Sequence, residues 1–318
     1  MGHKEREEHQ EFTFVVAYDP AMTIVVAGGT GFLGSALVAA LRIDGHRVLV
    51  LTRHPRHTDD HSWSPGDVTS NGWMSVVDDA DAVVNLAGES IGGGRWTAAR
   101  QRAIRASRVQ ATKALVTAIK AATTRPRIFI SGSAIGFYGN RGDERLTEDS
   151  APSSDFLADV CREWERLAFE AAPVSRVVCL RTGLVLARRG GALPQLALPF
   201  RLFVGGPAGS GRQYMSWIHV DDWVAMVLWA INNTSLTGAI NLTAPAPVTN
   251  AEFSRALGRA LWRPAIMPAP AFALRLVLGE MADALILGGQ RVLPARAESM
   301  GFAFKYADID SALQAVYG

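Results

Sequence analysis

The sequence predicts an α/β fold: a doubly wound parallel sheet with a smaller C-terminal α/β lobe. Three observations predict it. Short apolar, β-branched runs alternate with helical patterns over most of the 318 residues. That alternation places parallel strands in one sheet with helices on both faces. The first run, Thr23 to Val26, passes through Ala27-Gly-Gly-Thr-Gly-Phe-Leu-Gly34 into a helical stretch, Ser35 to Leu41. From about residue 183 the regularity loosens. Gly190-Gly191, Gly205-Gly206 and Gly209-Ser-Gly211 interrupt long loops there, and the segment from Pro245 to Pro270 is proline-rich. The reading is a Rossmann-type core over 22–183, preceded by an extension (1–21) and followed by 184–318. That last part is mainly a lobe over the strand ends, with some elements returning to the core.

The first unit carries the most chemistry. Gly28, Gly31 and Gly34 fall as G-x-x-G-x-x-G between a strand and a helix N-terminus. Such a turn aims backbone N–H groups outward, and the helix dipole favours negative charge there, so the unit reads as a dinucleotide pyrophosphate site. The second strand, Arg47 to Thr52, should end near the adenosine ribose. No carboxylate follows it before Asp59; Thr52 and Arg53 stand there instead. An arginine at that position accommodates a 2′-phosphate, so the expected cofactor is NADP rather than NAD. His54, His57 and His61 with Asp59 and Asp60 have zinc-ligand chemistry but sit in a polar loop, and no metal is expected.

Ala82 to Leu86 reads as the next strand, followed by a helix from about Thr97 to Ala122. Arg95, Arg100, Arg102, Arg105 and Arg108 crowd that helix start. Arg95, Arg105 and Arg108 are candidate contacts for an anionic substrate, the alternative being a solvated basic face. Arg127 to Ser131 and Val174 to Leu180 are further strands, with a helix over Phe156 to Ala171 between them. Glu163 and Glu165 lie two apart on that helix and so do not pair as an acid/base site. In Ser216-Trp-Ile-His219-Val-Asp-Asp222 a strand enters a helix, with Asp221 or Asp222 expected to cap it.

Bulk composition excludes several classes. With 32 Lys and Arg against 30 Asp and Glu, the net charge of +2 gives no basis for nucleic-acid or anionic-membrane binding. The most apolar stretch, Phe272 to Leu287, is broken by Arg275, Glu280 and Asp283, so no membrane span is expected. Two cysteines, Cys161 and Cys179, make no disulfide framework and point to a reducing, cytoplasmic setting. A small-molecule substrate and a monomer or homodimer are the expected partners.

The glycine turn, Asn85-Leu-Ala-Gly88, and Ser131-Gly-Ser133 leading to Phe137-Tyr-Gly139 together resemble an extended short-chain dehydrogenase/reductase. Gly92-Gly-Gly-Arg-Trp96, Phe156 to Glu165, Arg181 to Leu186, Gly211 to Asp222 and Gly289 to Pro294 resemble an NAD(P)-dependent epimerase branch of it. Some members of that branch are loosely described as relatives of a cell-division inhibitor. The resemblance implies that Gly28, Thr30, Gly31, Phe32, Leu33, Gly34, Arg53, Leu86, Ala87 and Gly88 line the cofactor. It further implies that Ser131 and Ser133 stand beside the nicotinamide, and that Thr182, Gly183 and Leu184 pass beneath it. The wider family uses a Tyr-x-x-x-Lys pair as acid and cation, but this chain has Phe156-Leu-Ala-Asp-Val-Cys161 there. Ser133 as the group orienting the substrate oxygen, and Tyr138 as a substitute acid, are the catalytic candidates. Cys161 is a weaker one, reading also as a small buried helix residue. The expected function is an NADP-binding oxidoreductase or epimerase acting on a small anionic or sugar-like substrate. The alternative is a non-catalytic, NADP-responsive binding or regulatory protein.

Overall fold

The computed structural model describes residues 21–66 and 71–318, so most of the expected N-terminal extension lies outside the described residues. Seven strands form one parallel sheet: β1 (Thr23–Ala27), β2 (Arg47–Thr52), β3 (Asp60–Ser62), β4 (Ala82–Asn85), β5 (Ile128–Ala134), β6 (Arg176–Thr182) and β7 (Gly238–Leu242). Their order is β7-β6-β5-β4-β1-β2-β3. Chain order runs outward from β1 in both directions, so the topological switch lies between β1 and β4, where Val25 pairs with Val83. Ligand crevices of such sheets open there, at the carboxyl ends of the strands.

Helices cover both faces, which is why β1 is apolar throughout. Ile24 and Val26 pack on one side with Leu37 and Leu41 of α1 (Phe32–Ile43). Val25 and Ala27 face the other, against Leu115 and Ile119 of α2 (Ala98–Ala121). α3 (Phe156–Ala168) lies beside α2 and continues as a 3₁₀ turn to Ala171. Beyond β6 the chain builds α4 (Leu193–Arg201), α5 (Val220–Asn232) and α6 (Asn250–Leu261). α5 packs on α1 under the sheet, whereas α4, α6 and the terminal helix Ile309–Tyr317 enclose a separate apolar cluster around Phe200, Trp217, Phe253 and Leu313.

Two strands are not legible in the sequence. β3 is the polar triplet Asp60-His-Ser62 at an edge of the sheet, from the loop that reads as a solvated histidine cluster. Its Asp60 carboxylate accepts hydrogen bonds from the Arg56 and His57 amides. β7 forms the opposite edge from within the C-terminal third. The apolar stretch near residue 280 is divided among a helix over Ala271–Leu278, a short one over Glu280–Ala282 and a π-helical turn. No helix among the described residues is long and apolar enough to cross a membrane.

Candidate functional site

The glycine turn is built by contacts that exclude side chains. Gly28 has φ +79°, and a Cβ there would lie 2.8 Å from the backbone nitrogen of Ala87. The turn after β1 therefore packs backbone to backbone on the turn after β4. A Cβ on Gly34 would lie 2.1 Å from the Gly28 carbonyl oxygen, so this first turn of α1 sits directly on the loop. Gly31 occupies the N-cap of α1 without a side-chain cap, and the first turn contains no acidic residue. Thr30 and Gly31 are exposed. The outcome is an open, positively polarised helix end facing the crevice, which fits a pyrophosphate.

The neighbouring strand ends complete the crevice. Asn85 closes β4 with its Oδ1 accepting from the Ala87 amide (3.2 Å) and its Nδ2 donating to Thr112 (3.0 Å). That carboxamide shapes the Leu86-Ala87-Gly88 lip and ties it to α2; sequence reading quoted Asn85 within the motif but gave it no role. Thr52 is buried and Arg53 exposed at the end of β2, two strands from β4. Thr182 accepts from the Trp223 indole (3.2 Å). Gly183 has no room for a Cβ, which would meet the Ser216 carbonyl at 2.6 Å. This contact turns the chain into the strand Leu184–Leu186, which pairs with Trp217–His219. The predicted cofactor residues thus lie at the carboxyl ends of the strands, with one correction. Ser131 is fully buried, pairs with Asn85 inside the sheet and turns its hydroxyl to the Gly132 carbonyl, so it supports the strand rather than lining the crevice.

The catalytic candidates fare differently. Tyr138 is fully buried; its hydroxyl donates to Asn241 Oδ1 (2.7 Å) and accepts from Arg181 Nη1 (2.9 Å). Burial pushes the phenol up to about 12, despite the Arg181 guanidinium beside it. Tyr138 is therefore a buried strut and is corrected from acid to scaffold. Ser133 lies at the end of β5, nearly buried, and donates to Glu165 Oε1 at 2.6 Å. Cys161 is buried and its thiol is pushed up to about 12, first by burial and then by Glu165, which makes it an inert helix residue.

Behind Ser133 lies a feature the sequence did not disclose. Glu165 and Arg181 form a buried bidentate pair, with Arg181 Nε 2.8 Å from Oε1 and Nη2 2.8 Å from Oε2. Burial works to lower the Arg181 pKa, but hydrogen bonds and charge from Glu165 and Tyr138 raise it overall. The available signal was spacing: Ala158, Cys161 and Glu165 share one face of α3, so a carboxylate there must meet a partner.

The arginine cluster at the start of α2 does not act together. Arg105 is half-exposed and turns outward to Glu163 (2.6 Å), which removes it from the crevice. Arg95 approaches Gly279 of the lobe. Arg108 folds inward between the Gly88 lip and the Trp164 ring, its Cζ 5.1 Å from the ring centroid. At α5 the expected cap is also corrected. His219 Nδ1, not an aspartate, accepts from the Asp221 amide (3.1 Å), while the Asp222 carboxylate takes the amides of Lys305 and Tyr306 (both 2.9 Å). Among the described residues no three or more His, Cys, Asp or Glu side chains converge on a metal-sized site.

Comparison with known proteins places this geometry. Residues 24–242 match the NAD dependent epimerase/dehydratase family, and residues 269–316 match a domain of unknown function, DUF1731. The chain is 43% identical over 302 residues to an Arabidopsis thaliana protein, "Epimerase family protein SDR39U1 homolog, chloroplastic", covering 93% of this chain and 86% of that one. It is 42% identical over 294 residues to the epimerase family protein ML0860 of Mycobacterium leprae, covering 91% and 94%. A crystal structure of the human epimerase family protein SDR39U1 with NADPH superimposes with a TM-score of 0.87 at 33% identity, covering 93% of this chain and 99% of that one. The glycine cradle at the β1/β4 switch and the match across most of the chain lead to one conclusion: this chain belongs to the NAD-dependent epimerase/dehydratase family, within the extended short-chain dehydrogenase/reductases.

Proposed function

We propose that this protein binds NADP(H) and acts as an oxidoreductase or epimerase-like protein on a small anionic or sugar-like substrate. The carrying observation is the side-chain-free cradle of Gly28, Gly31 and Gly34 at an uncapped helix end, with Arg53 exposed at the end of β2. The cradle accepts the pyrophosphate and Arg53 pairs with the 2′-phosphate. Leu86, Ala87 and Gly88 flank the dinucleotide, and Thr182 to Leu184 form the floor below the nicotinamide. When bound, the nicotinamide supplies a hydride donor or acceptor. Ser133, its hydroxyl proton donated to Glu165, presents its acceptor lone pairs to a substrate hydroxyl. The human relative carries NADPH in its crystal structure, which supports the cofactor choice. The two free, buried cysteines support a reducing, cytoplasmic setting, with the protein acting as a monomer or homodimer.

Titration of purified protein with NADPH and NADH tests the cofactor assignment: NADPH binds more tightly, and equal or tighter NADH binding overturns it. Turnover is tested by following nicotinamide absorbance with NADPH across a panel of sugars, nucleotide-sugars, keto acids and quinones. A second reading, an NADP-responsive regulatory protein without turnover, is favoured by one observation. Leu157 and Cys161 lie on α3 where the resemblance expects a tyrosine and a lysine, and Tyr138 is locked away. Silence across the panel with tight NADPH binding supports that reading over the first.

A further inference from the structure

We propose that Arg108 is the cofactor's second cationic anchor, reaching from α2 to hold the nicotinamide half of the dinucleotide. It would hold it through the phosphate and ribose oxygens beside Gly88. The inference rests on the NADP reading above and names a residue of that same crevice.

The argument begins with what Arg108 leaves unused. Its Nη1 donates to the carbonyls of Glu89 and Ile104, both at 3.0 Å. Among the described residues Nε and Nη2 have no partner, and no carboxylate lies within 4.0 Å. Other arginines of this protein show what a purely structural one does. Arg181 spends Nε, Nη1 and Nη2 on Glu165, Tyr138 and the Glu148 carbonyl. Arg176 spends both Nη atoms on the carbonyls of Ala230, Ile231 and Leu236. A guanidinium has five N–H donors; Arg108 is only partly buried, so the donors on Nε and Nη2 stay reachable and are available to the oxygens of an anion. That burial weakens its hold on the proton, with Cys161 and Glu89 acting in the opposite sense.

The direction in which the free donors can act follows from the packing. Arg108 is clamped between the Trp164 ring and Gly88, where a Cβ would meet its Cζ at 3.2 Å. Topology then identifies the ligand part. A dinucleotide with its adenosine end at Arg53 of β2 crosses the α1 N-terminus beside β1 and continues past the Gly88 lip of β4 towards β5. Arg108 stands on that far side, against α3, which packs on β5. Neither Leu157 nor Cys161 on α3 brings a cation there, so Arg108 is the arginine of the α2 cluster that meets this stretch of ligand. A planar guanidinium suits a phosphate oxygen and a ribose hydroxyl together.

The test separates the two halves of the cofactor. Kd values are measured by calorimetry for NADPH and for 2′,5′-ADP, which retains the Arg53 end and lacks the nicotinamide half. Arg108→Met is expected to weaken NADPH at least about tenfold while 2′,5′-ADP stays within about twofold. Arg108→Gln keeps a donor for the Glu89 and Ile104 carbonyls and is expected to fold and show the same selective loss. Arg108→Lys recovers part of it. Equal losses for both ligands, or unchanged NADPH affinity in Arg108→Gln, overturn the proposal. If the unaltered protein binds neither ligand, the NADP reading itself fails, and that outcome is distinct from any behaviour of the variants.

Discussion

Glu165 and Arg181, each less than a tenth exposed, show how one carboxylate organises the floor of the crevice. It takes two guanidinium hydrogen bonds and the Ser133 hydroxyl at once. Removing one member of a buried pair strands the other charge in a poorly hydrated setting, so Glu165→Ala should cost about 3–5 kcal/mol. Urea denaturation measures this, and a loss below about 1 kcal/mol would show that Arg181 finds another partner. Tyr138→Phe deprives Asn241 Oδ1 of its donor and Arg181 of an acceptor, and should cost about 1–3 kcal/mol while leaving NADPH affinity unchanged. A fall in turnover of about a hundredfold at unchanged stability would restore Tyr138 as an acid. At this scale the sequence misleads for a definable reason. A tyrosine just past a strand end reads the same whether its hydroxyl faces the crevice or the core, and only the partners Asn241 and Arg181, distant in the chain, decide between them.

At the level of elements, the start of α5 carries a pH dependence. His219 accepts the Asp221 amide through Nδ1, which requires that nitrogen to be unprotonated, and packs at a tilt against Tyr306 with ring centroids 4.0 Å apart. Burial holds the imidazole below its ordinary 6.5, against the pull of Asp221 and Asp222 and with Lys305 acting in the same sense as burial. The unfolded chain therefore binds a proton that the folded chain resists. The stability due to neutral His219 is complete above about pH 6.5 and is lost as the pH falls through the folded pKa. Thermal denaturation between about pH 7 and 5 should show this acid-side slope, and His219→Asn, which keeps a capping acceptor, should flatten it. An unchanged slope would move the effect to another group. The helix itself was legible because strand residues run directly into an amphipathic pattern. Its cap was not, because Asp221 and Asp222 look like better capping residues than a histidine until the amides of Lys305 and Tyr306 claim Asp222. β3 escaped for a related reason: an edge triplet pairs on one side only and needs no apolar pattern.

For the molecule as a whole, the cofactor half of the site is readable because it is made of backbone. Gly28 and Gly34 mark places where any side chain would collide, Gly31 is tight against the Gly28 carbonyl, and a collision leaves a trace in the sequence. The substrate half depends on which way long side chains turn; Arg105 and Arg108, three residues apart on α2, go to opposite destinations. The cradle draws on the turns after β1 and β4. The ring of Phe32, at the first position of α1, also meets the Gly190-Gly191 loop after β6, since a Cβ at Gly190 would lie 2.5 Å from Phe32 Cδ2. A ligand seated there contacts segments far apart in sequence, and it can do so only when the sheet is assembled. Binding is thus coupled to global folding. NADPH at a hundredfold excess over its Kd should add about 2.7 kcal/mol to unfolding stability, and the melting temperature should keep rising with concentration. NADH at the same concentration should give a smaller shift, because Arg53 then faces a hydroxyl instead of a phosphate. Arg53→Ala should bring the two shifts together by lowering that of NADPH while leaving that of NADH nearly unchanged. If the variant lowers both equally, Arg53 supports the crevice without selecting the cofactor, and the 2′-phosphate must be read elsewhere along the β2 edge.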